Sequence, residues 1–164
     1  MHTKNIASEA EIMELLEGVK DPEIPVLSVV DMGMITGVRI HENEVVVRFT
    51  PTFIGCPAIN VIKQNILSHL QQNGFENTIV ETDLETTWTS DRMTEDGRKK
   101  LARFGIAPPA PNSGDLTEEL LNKVKCPHCG SADTTLNSPF GSTLCRAIRF
   151  CFSCKQGFEQ FKPI

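Results

Sequence analysis

The chain has 164 residues, 40% of them hydrophobic, and a formal net charge of -5. That suffices for one ordinary core of about 100 residues, with the remainder as a smaller module. The acidic balance argues against a general affinity for nucleic acid. No apolar run approaches the ~20 residues of a membrane span, and the polar N-terminus has no secretory core, so a soluble cytoplasmic protein is expected. Six cysteines in such a chain point to metal or redox chemistry rather than to a disulfide framework.

In chain order, Ser8-x-x-Glu11 has capping-box spacing, and Ile12, Leu15, Leu16 and Val19 follow at helical intervals. A one-faced helix ending near Gly18 is expected. Asp21-Pro22-Glu23-Ile24-Pro25 cannot form a regular element, and its prolines predict an extended, stiff segment carrying two acids. These are either solvated turn carboxylates or positioned groups. The β-rich runs Met34–Ile40 and Val45–Thr50, joined by the polar His41-Glu42-Asn43-Glu44, predict an antiparallel hairpin. Ile59, Ile62, Ile66 and Leu70 recur at helical spacing up to Gly74, and Thr78 to Glu85 reads as a third strand.

Between hairpin and helix lies Thr50-Pro51-Thr52-Phe53-Ile54-Gly55-Cys56-Pro57. Proline suits the first helical position, which makes Cys56 the expected N-cap. There the unpaired amides and the helix dipole would favour thiolate over thiol and depress its pKa. On the residues alone, Cys56 reads equally as a functional thiol or as a buried small hydrophobe.

Trp88 precedes a short helix, roughly Thr94 to Phe104, with Leu101 and Phe104 apolar and Arg98, Lys99, Lys100 and Arg103 largely outward. Ala107-Pro108-Pro109-Ala110-Pro111 is expected to be a semi-rigid tether with nothing to bury. The predicted domains are therefore 1–106, a linker over 107–122, and 123–164. The last contains Cys126-Pro127-His128-Cys129 and Cys151-Phe152-Ser153-Cys154. Two Cys-x-x-Cys turns converging from opposite sides supply four thiolates to a tetrahedral metal. Structural zinc on Cys126, Cys129, Cys151 and Cys154 is the favoured reading, and rubredoxin-like iron or an iron-sulfur cluster would use the same donors. Cys145 is left as a spare thiol or an exchangeable fifth donor. His128 is a knuckle residue.

Asp21-Pro22-Glu23, Gly33 and the Thr50-to-Pro57 stretch resemble the small-domain family of iron-sulfur cluster assembly that includes the SufT-type maturation factors. Trp88-Thr89-Ser90-Asp91, Met93-Thr94-Glu95-Asp96-Gly97-Arg98, Phe104-Gly105-Ile106-Ala107-Pro108-Pro109 and the four-cysteine ribbon extend the likeness, over nearly the whole chain, to the PaaD family encoded with phenylacetyl-CoA epoxidase. The resemblance implies an α+β fold, a small sandwich with a mixed three-stranded sheet and packed helices, followed by a zinc ribbon. It implies a maturation role in aerobic phenylacetate catabolism. Iron or an iron-sulfur cluster would be delivered to the epoxidase subunits, chiefly the iron-sulfur reductase subunit. By the same resemblance Cys56 and Asp21 are the iron or cluster contacts, and Glu23, Thr50 and Thr52 line their pocket. A non-catalytic, stoichiometric subunit of the epoxidase is the alternative, and a homodimer bridging a cluster through paired Cys56 thiols stays open. The chain carries no Glu-x-x-His di-iron set and no nucleotide or flavin fingerprint of its own.

Overall fold

The computed structural model describes residues 8–53, 55–112, 114, 115, 122 and 124–164. It divides into two compact units, one ending at Trp88 and one beginning at Thr89.

The first unit opens with helix α1 (Glu9–Leu16), whose N-cap Ser8 accepts the Glu11 amide through its side chain. Ile12 and Leu16 are its buried positions, as their spacing requires. Strands β1 (Ile35–His41) and β2 (Glu44–Phe49) form the expected antiparallel hairpin, helix α2 spans Ile59–Gln72, and β3 (Thr78–Thr82) returns parallel to β2. The sheet is thus mixed, in the order β1-β2-β3. Because side chains alternate along a strand, β2 buries Val45, Val47 and Phe49 and leaves Val46 and Arg48 partly exposed. Those three residues join Ile12, Leu16, Ile62, Ile66, Leu70 and Val80 in the core. Burying each such side chain stabilises the fold by roughly 1.5–3 kcal/mol.

The segment between α1 and β1 is folded back rather than extended. Lys20 and Ser28 form an antiparallel bridge, Asp21 N–H donates to Leu27 O, and Val29 N–H donates to Val19 O. The prolines do exclude a regular element. Ile24, Leu27 and Val29 are nevertheless buried, and their burial pulls the segment into a closed loop. Trp88 is also buried and donates its indole N–H to Met32 O at 2.8 Å.

The second unit begins earlier than the expected 107–122 linker. A 3-10 turn (Ser90–Arg92) and helix α3 (Glu95–Arg103) lead into β4 (Ile106–Ala107), which pairs parallel with β7 (Gly157–Phe161). Strands β5 (Thr134–Ser138) and β6 (Arg146–Cys151) complete a four-stranded sheet in the order β4-β7-β6-β5. Ala107 is wholly buried and Pro109 buried, so the proline-rich stretch starts inside this unit's core. Arg98 is not outward either. Its guanidinium donates to Pro109 O at 2.6 Å and to Ser90 O at 2.9 Å, and Asn112 N–H donates to Asp91. These bonds fasten residues 90–112 to one another, which the composition of a tether did not reveal. Among the described residues no helix is long and apolar enough to cross a membrane.

Candidate metal centres

In the ribbon, each Cys-x-x-Cys turn is closed by the same backbone device. Gly130 N–H donates to Cys126 O at 2.8 Å, and Lys155 N–H donates to Cys151 O at 3.0 Å. Cys126 N–H then reaches Ser131 O, and Cys151 N–H reaches Gln156 O, both at 2.9 Å. The residue after each second cysteine must take a left-handed conformation, with φ of 75° at Gly130 and 60° at Lys155. The first turn meets this demand with glycine, and the second carries it on a lysine.

The Sγ atoms of Cys126, Cys129, Cys151 and Cys154 all lie within 4.8 Å of one another. Two of the separations, Cys126–Cys154 at 3.7 Å and Cys129–Cys151 at 3.6 Å, match the edge of about 3.8 Å that a tetrahedron with zinc–sulfur bonds of ~2.3 Å requires. The thiols also need a cation. The Cys154 amide draws the Cys151 thiol down to about 7, whereas burial pushes Cys154 up to about 12. A bound divalent metal removes that disparity by favouring every thiolate at once. The residues therefore fit zinc, and four protein donors close its coordination shell, as a structural site requires. Cys145 lies outside the cluster, buried beside Thr143 Oγ1 at 3.0 Å. His128 is exposed and likewise lies outside it.

The second candidate centre lies in the first unit, around Cys56. Helix α2 begins at Ile59, with Ala58 as a cap residue that offers no side-chain bond. Cys56 is thus not the N-cap. A tight turn intervenes, in which Ile59 N–H donates to Cys56 O at 3.2 Å. The amides of Ala58 and Ile59 still bond the sulfur, but they do not decide its acidity. Burial pushes the Cys56 thiol up, and the carboxylates of Glu23 and Asp21 push it further, against those two amides. The expected depression is therefore reversed, because desolvation and two anions outweigh a pair of dipoles. Gly55, with φ of 93°, has open space where a Cβ would stand.

Two of the remaining expected pocket residues, Asp21 and Thr50, are held in structural hydrogen bonds. Asp21 is buried, and its Oδ1 accepts the amides of Glu23 and Ile24, each at 2.8 Å. Glu23 is exposed. Thr50 is buried, donates its hydroxyl to Thr86 O at 2.7 Å and its amide to Met34 O at 2.8 Å. Thr52 is half-buried in the bend that follows. Nearby on β3's exit, Asp83 was not singled out from sequence. It accepts the amides of Glu85 and Thr86 and the Thr86 hydroxyl, and it pairs with Arg48 at 3.4 Å. The hydroxyl and amide donors around it hold its carboxyl down to about 2, against the opposing effect of burial. An aspartate just past a strand carries no signal that sets it apart from a turn residue.

Comparison with known proteins also finds two parts in the chain. A family model described as an iron-sulfur cluster assembly protein matches residues 9–81, and one described as the PaaD zinc beta ribbon domain matches residues 110–162. The chain is 44% identical over 154 residues to an Escherichia coli protein that carries the provisional name of a 1,2-phenylacetyl-CoA epoxidase subunit, covering 94% of this chain and 92% of that one. It is 30% identical to an Fe-S protein maturation auxiliary factor of Porphyromonas gingivalis, over 62% of this chain and 97% of that one. A crystal structure of a domain of unknown function from Bacillus anthracis superposes with a TM-score of 0.54 at 28% identity, covering 57% of this chain and 90% of that one. A conserved hypothetical protein from Thermotoga maritima gives 0.50 at 26% identity, over 58% and 94%. With one relative matched almost end to end and the two family models in tandem, this chain belongs to the PaaD family, an iron-sulfur-assembly domain joined to a zinc ribbon.

Proposed function

We propose that this protein is a cytoplasmic maturation factor of a phenylacetyl-CoA epoxidase system, and that it delivers iron or an iron-sulfur cluster to the reductase subunit through Cys56. The observation that carries the reading is that Cys56, Asp21 and Glu23 all lie in the 9–81 segment matched by the iron-sulfur assembly model, with the charges of Glu23 and Asp21 adding to burial in pushing the Cys56 thiol up. Two carboxylate charges acting on a half-buried thiol disfavour a lone thiolate, and they favour a thiolate that shares a cation. Such a site holds iron cargo and protects the empty thiol from reaction. Gly55 leaves space for a partner's backbone to approach. Thr50 and Thr52 would shape the wall of the pocket.

The test is to express the epoxidase components with wild-type chain, with Cys56→Ser, or without the chain, and to measure iron and acid-labile sulfide in the purified reductase. Low cluster content without the chain or with Cys56→Ser is expected. Full content in both would overturn the reading. The name of the Escherichia coli relative favours a second reading, a stoichiometric non-catalytic subunit. In that case the chain would remain at a fixed ratio in the mature complex, whereas a delivery factor leaves it.

A further inference from the structure

We propose that Ser131 and Ser153 form a clasp across the exposed edge of the four-cysteine site and set how fast the ribbon releases its metal. Their hydroxyl oxygens lie 2.7 Å apart, one from each turn. Each serine is also tied to a ligand. The Ser131 amide bonds the Cys129 sulfur, and the Ser153 amide bonds the Cys151 sulfur. The clasp therefore joins the two residues whose amides hold the Cys129–Cys151 edge, itself 3.6 Å long. Ser131 is anchored a second time, since its carbonyl accepts the Cys126 amide at 2.9 Å and its hydroxyl accepts the Asp133 amide at 3.1 Å.

Cys129 is exposed, whereas Cys126 and Cys151 are buried. Release of a four-coordinate metal starts with departure of one thiolate, and the ligand open to solvent and to a chelator is Cys129. Its departure requires the first turn to swing away from the second. The Phe152 amide to Asp133 carbonyl bond, at 2.9 Å, extends the β5–β6 ladder and resists separation at the backbone. The serine pair resists it at side-chain level beside the sulfurs. Partners of this kind, which orient the ligands without binding the metal, commonly govern metal retention. Neither serine belongs to the four-thiol donor set, so both are positioning residues.

The experiment uses the full chain loaded with zinc, and follows transfer to a chromogenic chelator in excess. Ser131→Ala and Ser153→Ala each remove one hydroxyl and leave both amides in place. Ser153→Ala should speed release about three- to tenfold, the range expected of one hydrogen bond, and Ser131→Ala, which also removes the acceptor of the Asp133 amide, at least as much. The double variant should be no faster than the quicker single, because either change alone opens the clasp. Cobalt-loaded variants should keep the wild-type tetrahedral thiolate absorption spectrum, which shows that the donor set is intact. Ser153→Thr retains a hydroxyl and should release zinc at the wild-type rate. Release within twofold of wild type in both single alanine variants would overturn the clasp. So would multiplying effects in the double variant, or a threonine variant as fast as alanine.

Discussion

Cys56 shows how a residue's environment, rather than its position in a motif, sets its chemistry. Proline after cysteine suggested a helix N-terminus and an acidic thiol, yet two residues of turn precede α2, and burial, with the charges of Glu23 and Asp21, pushes the thiol up. The empty protein should therefore react slowly. Iodoacetamide modification of Cys56 should rise with pH through an inflection above that of an unperturbed cysteine, about 8.5. Asp21→Asn keeps an Oδ1 acceptor for the Glu23 and Ile24 amides but removes a negative charge, so alkylation at neutral pH should accelerate while thermal stability holds. An unchanged rate would show that Asp21 acts only as a loop fastener. Asp83 gives a second residue-scale test. Its folded carboxyl titrates near 2, below the ordinary 3.8, so the stability it contributes is complete above the ordinary value and is lost as pH falls through about 2. In Asp83→Asn that acid-dependent contribution should vanish, flattening the pH dependence of the first unit's unfolding between pH values of about 4 and 2.

At the scale of elements, the two cysteine turns are backbone near-copies that fill their left-handed position with different residues, Gly130 and Lys155. Lys155 adopts φ of 60°, which its exposed side chain gives no reason to require. Lys155→Gly should stabilise the zinc-loaded ribbon by about 1 kcal/mol, measured by denaturant unfolding, because glycine takes the left-handed conformation without a Cβ clash. Local patterns made most of these elements legible. Period-two burial identified β2, helical spacing identified Ile62, Ile66 and Leu70, and the paired Cys-x-x-Cys turns identified the ribbon ligands. What could not be read were contacts between residues far apart in sequence. Nothing near Ile106 announces that it will pair with Glu159, nothing near Thr50 that its hydroxyl will reach Thr86, and nothing distinguishes Ser131 and Ser153 from other exposed serines. The closed loop at Lys20–Ser28 was hidden for a related reason. Prolines report which conformations are excluded, but only tertiary burial of Ile24 and Leu27 decides which permitted one is adopted.

For the whole molecule, the position of β4 changes what metal removal should do. A ribbon tethered by a free linker would unfold from about residue 124 onward. Here β4 lies on β7, and Ala107 shares a buried cluster with Cys126, Cys151 and Phe158. Cys126 and Cys151, with Cys154 packed against them, are thus part of the same small core that receives Ala107, and a core of that size depends on its metal for much of its folding free energy. Chelation should therefore release more than the ribbon. The Ile106–Ala107 strand should lose its partner, and the Arg98 bonds to Ser90 O and Pro109 O should loosen with it. Residues before Trp88 have a separate core built on Phe49, Ile66 and Leu70. Hydrogen exchange measured by mass spectrometry before and after zinc removal should show protection lost from about Thr89 to the C-terminus and kept through α2 and β2. Cys126→Ser should reproduce the chelated pattern. Loss confined to the residues after 124 would place the cooperative boundary at the proline-rich stretch instead, and would mean that the β4–β7 pairing adds little to the stability of the second unit.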